Sequence, residues 1–220
     1  MFSNTEVITE YNNYSAHSSE LKEINLTKFV LLDNISTKFI QDKDKISIEY
    51  DSIINMSSEC IVNAANEGLL GGGGVDGVIH EACGSELNEY IINNIPANNY
   101  GARIFEGESV ITPGFKSNFN WIIHTVAPYY DDDGNMKLET MKNTIDSIFN
   151  LVDKYNLTEI IIPPIGTGFY GFHMFEFTVI LFDKIEKYLQ KNKNIKKIRL
   201  VTNLKLMYNY FKYYFDKIIY

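Results

Sequence analysis

Asn63, Asn66 and Asp76 bracket four consecutive glycines, Gly71–Gly74, in a chain of 220 residues. The apolar run Ile61-Val62-Asn63-Ala64-Ala65 precedes the glycines as a short strand, and Val75-Asp76-Gly77-Val78-Ile79-His80 follows as the opening of a helix. Glycine lets backbone N–H groups crowd against a ligand at dihedrals that other residues avoid. A helix N-terminus behind such a loop favours an anion. These residue types predict a phosphate-bearing ligand with amide and carboxylate side chains beside it. Asp76 can orient or deprotonate a water or a ligand hydroxyl. Asn66 offers one acceptor and two donors to such a ligand. Asp76 also stands where a helix N-cap is expected, and that role is compatible with catalysis.

A second loop, Pro164-Ile165-Gly166-Thr167-Gly168-Phe169-Tyr170-Gly171-Phe172, leaves the buried strand Glu159 to Pro163. Ligands of α/β sheets sit outside the carboxyl ends of the strands. Two glycine cradles at strand ends fit a pyrophosphate better than a single phosphate. A glycine turn with no ligand is the plain alternative.

The elements that must hold these loops alternate. Strands are expected at 46–50, 60–64, 108–112, 121–127, 159–163 and 198–202. Helices are expected at 75–94 (interrupted in pattern by Gly84), 136–155, 174–191 and 205–216. Met141, Ile145, Ile148, Val152 and Tyr155 form one buried stripe on the second helix. Strands alternating with helices imply an α/β sandwich with a mixed, largely parallel central sheet. Residues 1–45 read as an extension, polar at first, with scattered helical pieces from Leu21 to Ile40.

Hydrophobic residues make up 45% of the chain, enough for a packed core, and the net charge of -8 makes a poor partner for a nucleic-acid backbone. Cys60 and Cys83 lack a CxxC partner and read as buried free thiols. Asp131 to Asp133 lack the distant Glu of a calcium loop. No metal site, cofactor or membrane span is expected. A soluble, intracellular (cytoplasmic or nuclear) monomer is. His80 and His124 read as core or hydrogen-bonded histidines.

Asn63-Ala64-Ala65-Asn66, the glycines, Val75-Asp76-Gly77 and Ile79-His80 together resemble the signature of macrodomains of the MacroD type. Gly107 to Phe115, Ile123 to Pro128 and the second glycine loop are similar to the family too, so the resemblance runs from about 46 to about 214. It implies a three-layer α/β/α sandwich over 46–220 that binds ADP-ribose. It further implies removal of mono-ADP-ribose from acidic side chains of proteins, or deacylation of O-acyl-ADP-ribose, without metal, with Asn66 and Asp76 catalytic.

The resemblance also assigns contacts. Asp51, with Ser52, takes the adenine end, although Tyr50 stands where the family has Gly; Asn203 follows the last strand where the family often has an aromatic. Asn63, Ala65, Gly72, Gly73, Gly74, Val75 and Gly77 belong to the first loop. Ile165, Gly166, Thr167, Gly168, Phe169 and Tyr170 clamp the diphosphate, and Phe172 or Tyr170 flanks the distal ribose. The family often has Ser at the place of Gly166 and Pro at that of His173. A non-catalytic ADP-ribose reader is the second reading, and an interaction module with a vestigial site is the third.

Overall fold

The computed structural model describes residues 42–131 and 133–217. The helical pieces expected between Leu21 and Ile40 lie outside them. Six strands form one sheet: β1 (Ile46–Tyr50), β2 (Ser58–Ala65), β3 (Ser109–Pro113), β4 (Phe119–Val126), β5 (Glu159–Ile162) and β6 (Lys197–Thr202). Five helices connect them: α1 (Gly74–Cys83), α2 (Ser85–Asn94), α3 (Leu138–Lys154), α4 (Met174–Lys191) and α5 (Lys205–Lys217). The spatial order is β1-β6-β5-β2-β4-β3, parallel throughout except for the antiparallel β3–β4 pair at one edge.

Alternation along the central strands sorts their side chains into two cores. In β2, Cys60 and Val62 join a core with α3, α4 and α5. Ile61 and Ala65 point the other way, into a core with α1 and α2. Both faces of the sheet are therefore covered, which is why the inner strands carry the short continuous apolar runs Cys60–Val62, Trp121–Ile123 and Ile160–Ile162. The result is the three-layer sandwich expected.

Two details differ from the sequence reading. The helix expected over 75–94 is two helices, because Gly84 turns the chain at φ +78, and a Cβ there would lie 2.7 Å from Glu86 Oε2. The stripe of α3 ends at Val152. Tyr155 lies past the helix end and packs its ring against Trp121 at 5.4 Å instead of joining the core. The free thiols Cys60 and Cys83 are both buried, and burial pushes the Cys60 thiol pKa up.

Candidate functional site

A cleft of about 570 Å³ opens at the carboxyl ends of β2, β4 and β5. One wall is the first glycine loop and the N-terminus of α1; the other is the loop after β5. Asn66 organises the first wall. Its Oδ1 accepts from the N–H groups of Gly68 (3.0 Å) and Leu69 (3.2 Å), and its Nδ2 donates to the Gly71 carbonyl (2.9 Å). The acceptor expected to meet the ligand is thus already used, and one N–H remains for it. Arg103 braces the same turn through its backbone N–H to Glu67 O (2.8 Å) and its Nε to Gly68 O (3.1 Å).

Asp76 is the third residue of α1, and Gly73 is the cap. The capping role is therefore not the one it fills. Its carboxylate is 3% exposed. Oδ1 accepts from Asn63 Nδ2 at 2.6 Å, and His80 Nε2 lies 3.3 Å away, close but off the line of a hydrogen bond. Oδ2 has no protein partner among the described residues. It lies beneath Gly72, 3.0 Å from where a Cβ on that residue would stand. A buried carboxylate oxygen without a donor costs free energy unless something else supplies one.

Both glycine walls present bare backbone. Among the described residues, the N–H groups of Gly72, Gly73, Gly168 and Phe169 donate to no protein acceptor. A Cβ on Gly73 or Gly168 would meet no atom within 4 Å, so the space each leaves open faces the cleft. Together with the positive end of α1 this makes an anion cradle on two sides.

Of the residues expected at the site, Ala65, Asn66, Gly72, Gly73, Gly74, Val75, Asp76, Gly166, Gly168, Phe169 and Tyr170 line the cleft. Five others sit behind it. Asn63 is fully buried beneath Asp76, because its position in β2 aims it there. Gly77 packs against the loop, where a Cβ would come within 2.5 Å of the Gly72 carbonyl. Ile165 and Phe172 are core residues at 0% and 3% exposure, so of Phe172 and Tyr170, the pair expected beside the distal ribose, only Tyr170 lines the cleft. Thr167 turns its hydroxyl back toward Pro164 O at 3.5 Å rather than toward a phosphate.

Asp51, Ser52 and Asn203 lie apart, at the carboxyl ends of β1 and β6. Asp51 N–H donates to Thr202 O at 3.1 Å, which joins the two strand ends. Asp51 is exposed. Donation from Asn55 Nδ2 (2.9 Å) and from the Ser52 N–H holds its carboxyl below the usual carboxylate range. The strand spacing sets this end about 14 Å from β2 along the same sheet edge. A ligand touching both ends must be elongated.

The family model described as Macro domain matches residues 62–180. The chain belongs to the macro domain family. A curated relative, O-acetyl-ADP-ribose deacetylase 2 of Pantoea vagans, is 35% identical over 158 residues, covering 72% of this chain and 91% of the relative. A mutant of the Oceanobacillus iheyensis macrodomain solved with ADPR superposes with a TM-score of 0.71 at 33% identity, over 79% of this chain and 93% of that one. The same macrodomain solved with ADP gives 0.69 at 33% identity, over 79% and 91%.

This macro domain shows site residues that sequence reasoning passed over. Tyr129, just past β4, stacks on Tyr170 with ring centroids 3.7 Å apart and narrows the cleft; Phe169 stands beside the pair, 95% exposed. The position of Tyr129 after Pro128, at a strand end, was the available signal. At the far end Tyr50 and Tyr208 lie 5.6 Å apart, with Lys205 Nζ within 5.3 Å of each ring. Aromatic surface is thus present there although Asn203 and Leu204 follow β6. Among the described residues no three His, Cys, Asp or Glu side chains gather as a metal site, and no helix is long and apolar enough to cross a membrane.

Gly166 has a local reason. Its φ is +75, and a Cβ would meet Ala127 Cβ at 2.7 Å. Gly166→Ser is therefore expected to weaken ligand binding about tenfold by pushing the loop off its wall. Ala127→Gly in the same chain should restore part of it. Calorimetric titration of the three variants checks this; full binding by Gly166→Ser alone contradicts it.

Proposed function

We propose that this macro domain binds ADP-ribose across the cleft and hydrolyses the ester joining it to acidic side chains of proteins, with O-acyl-ADP-ribose as a second substrate of the same class. The observation that carries the reading is the buried, unpartnered Oδ2 of Asp76 directly beneath Gly72, at the foot of a cleft with bare N–H groups on both walls. The diphosphate fits the glycine walls and the helix N-terminus. The distal ribose then falls by Asn66, Asp76 and the Tyr129–Tyr170 stack, and the adenine reaches toward Asp51 and Tyr50. The deacetylase name of the Pantoea relative and the ADPR in the Oceanobacillus structure support this assignment.

Water held between the Asp76 carboxylate and a phosphate oxygen can attack the ester carbonyl as Asp76 takes its proton; the bond to the ribose oxygen then breaks, and that oxygen leaves as a hydroxyl by taking the proton back from Asp76. The remaining N–H of Asn66 holds a ribose hydroxyl. Neither step needs a covalent intermediate. A reader module, which binds and releases nothing, needs the glycine walls but not the carboxylate below them.

Titration with ADP-ribose tests the binding half. Saturable binding is expected, and Gly168→Val, whose Cβ enters open space with no atom within 4 Å, should weaken it at least about tenfold with little change in Tm. Equal binding by that variant would show that the ligand does not use this wall.

A further inference from the structure

Behind Asp76 lies a buried polar chain that the proposed hydrolysis does not itself use. Asn63 Nδ2 donates to Asp76 Oδ1 at 2.6 Å and also faces His124 Nδ1 at 3.1 Å. His124 Nε2 faces Thr112 Oγ1 at 3.0 Å, and the Thr112 hydroxyl donates to Pro113 O at 3.2 Å. Asn63, His124 and Thr112 are all fully buried. None of the three lines the cleft.

The donors and acceptors allow one assignment. A carboxylate accepts only, so the amide must turn its NH₂ to Asp76. The second N–H of that NH₂ then points at His124, which requires a bare Nδ1. The ring proton is therefore on Nε2 and goes to Thr112 Oγ1, leaving the Thr112 hydroxyl proton for Pro113 O. Burial first, and the nearby His80 second, hold the His124 pKa down at about 3, so the ring is neutral.

The opposite amide orientation would set Asn63 Oδ1 against Asp76 Oδ1 at the same 2.6 Å. Two oxygens tolerate that distance only with a proton between them, and neither an amide oxygen nor a carboxylate carries one. The present orientation leaves Asn63 Oδ1 without a partner among the described residues. The amide's own acceptor therefore does not choose the orientation. The Asp76 carboxylate does, and the His124 tautomer follows from it.

We propose that His124, as its Nε2–H tautomer backed by Thr112, is a positioning residue that fixes the Asn63 amide and through it the Asp76 carboxylate, with Oδ1 held from behind and Oδ2 beneath Gly72. The proposal rests on the hydrolase reading for its effect on rate, but not for the arrangement of protons.

The test uses the full chain. Long-range proton–nitrogen NMR of the ligand-free protein should show His124 with a bare Nδ1 and a protonated Nε2 between pH 6 and 8. A proton on Nδ1, or an imidazolium, overturns the proposal. Exchange of the Asn63 side-chain amide protons should quicken at least about tenfold in His124→Leu and stay slow in His124→Asn, which keeps an acceptor toward Asn63. Equal exchange in wild type and His124→Leu also overturns it.

For turnover, the near-isosteric Thr112→Val should lower kcat about tenfold with KM and ADP-ribose affinity unchanged, and Thr112→Ser should restore it. An unchanged kcat, or a loss confined to KM, contradicts the positioning role. If the wild type itself releases no ADP-ribose, the hydrolase reading fails, and the tautomer and exchange measurements still decide the proposal.

Discussion

Asp76→Ala is expected to slow release of ADP-ribose from an ester-linked substrate by about 10²–10⁴-fold, the range lost with a general base. Affinity for free ADP-ribose should change by no more than a few-fold, since the glycine walls and the helix N-terminus remain. The variant also leaves the buried Asn63 amide without its carboxylate acceptor, which costs about 1–3 kcal/mol of stability. Asp76→Asn keeps the volume and should be nearly as inactive, because an amide cannot take the proton. Single-turnover kinetics and calorimetric titration on the same preparations check both halves. A variant that retains the wild-type rate would remove Asp76 from the mechanism.

Gly77→Ala should damage the site from behind. Gly77 lies one residue past Asp76 on α1, and an added Cβ would stand 2.5 Å from the Gly72 carbonyl. Both parties are backbone, so no side chain can rotate to make room; either the loop or the helix start must move. The loop is also bound through Gly71 O to Asn66, and Gly72 covers Asp76 Oδ2. A displacement of the order of 1 Å therefore reaches the phosphate cradle and the carboxylate together, and about 10²-fold is the expected loss in kcat/KM. Part of that loss should come from binding, unlike in Asp76→Ala. Wild-type affinity and rate in Gly77→Ala would mean that the loop is softer than its packing shows.

Much of this was legible because the relevant signals are local. The period of the apolar residues in α3 and the short continuous runs in β2, β4 and β5 predict helix, strand and a doubly covered sheet. The glycine loops at strand ends mark the cleft in the sequence itself. What was not legible depends on which way a side chain points. Thr167 and Phe172 lie in the right loop but turn inward, because the loop closes on itself through Phe172 N–H to Gly166 O at 2.9 Å. Asn63 and Asn66 are the same residue type three apart. The strand's alternation sends the first beneath Asp76, whereas the second lies one residue past β2 and is held in the glycine loop at the cleft. Tyr129 and Tyr170 meet across 41 residues of sequence, and no spacing rule reports such a contact. Gly166 and Ala127 likewise explain each other only in three dimensions.

The most direct test is the wild-type protein incubated with a protein carrying mono-ADP-ribose on Glu or Asp, with free ADP-ribose followed over time beside the Asp76→Ala variant. Multiple-turnover release by the wild type, absent from the variant at equal ADP-ribose affinity, is the predicted result. Tight binding of ADP-ribose by both proteins with no release by either would contradict the hydrolase account and leave the cleft a reader of the modification.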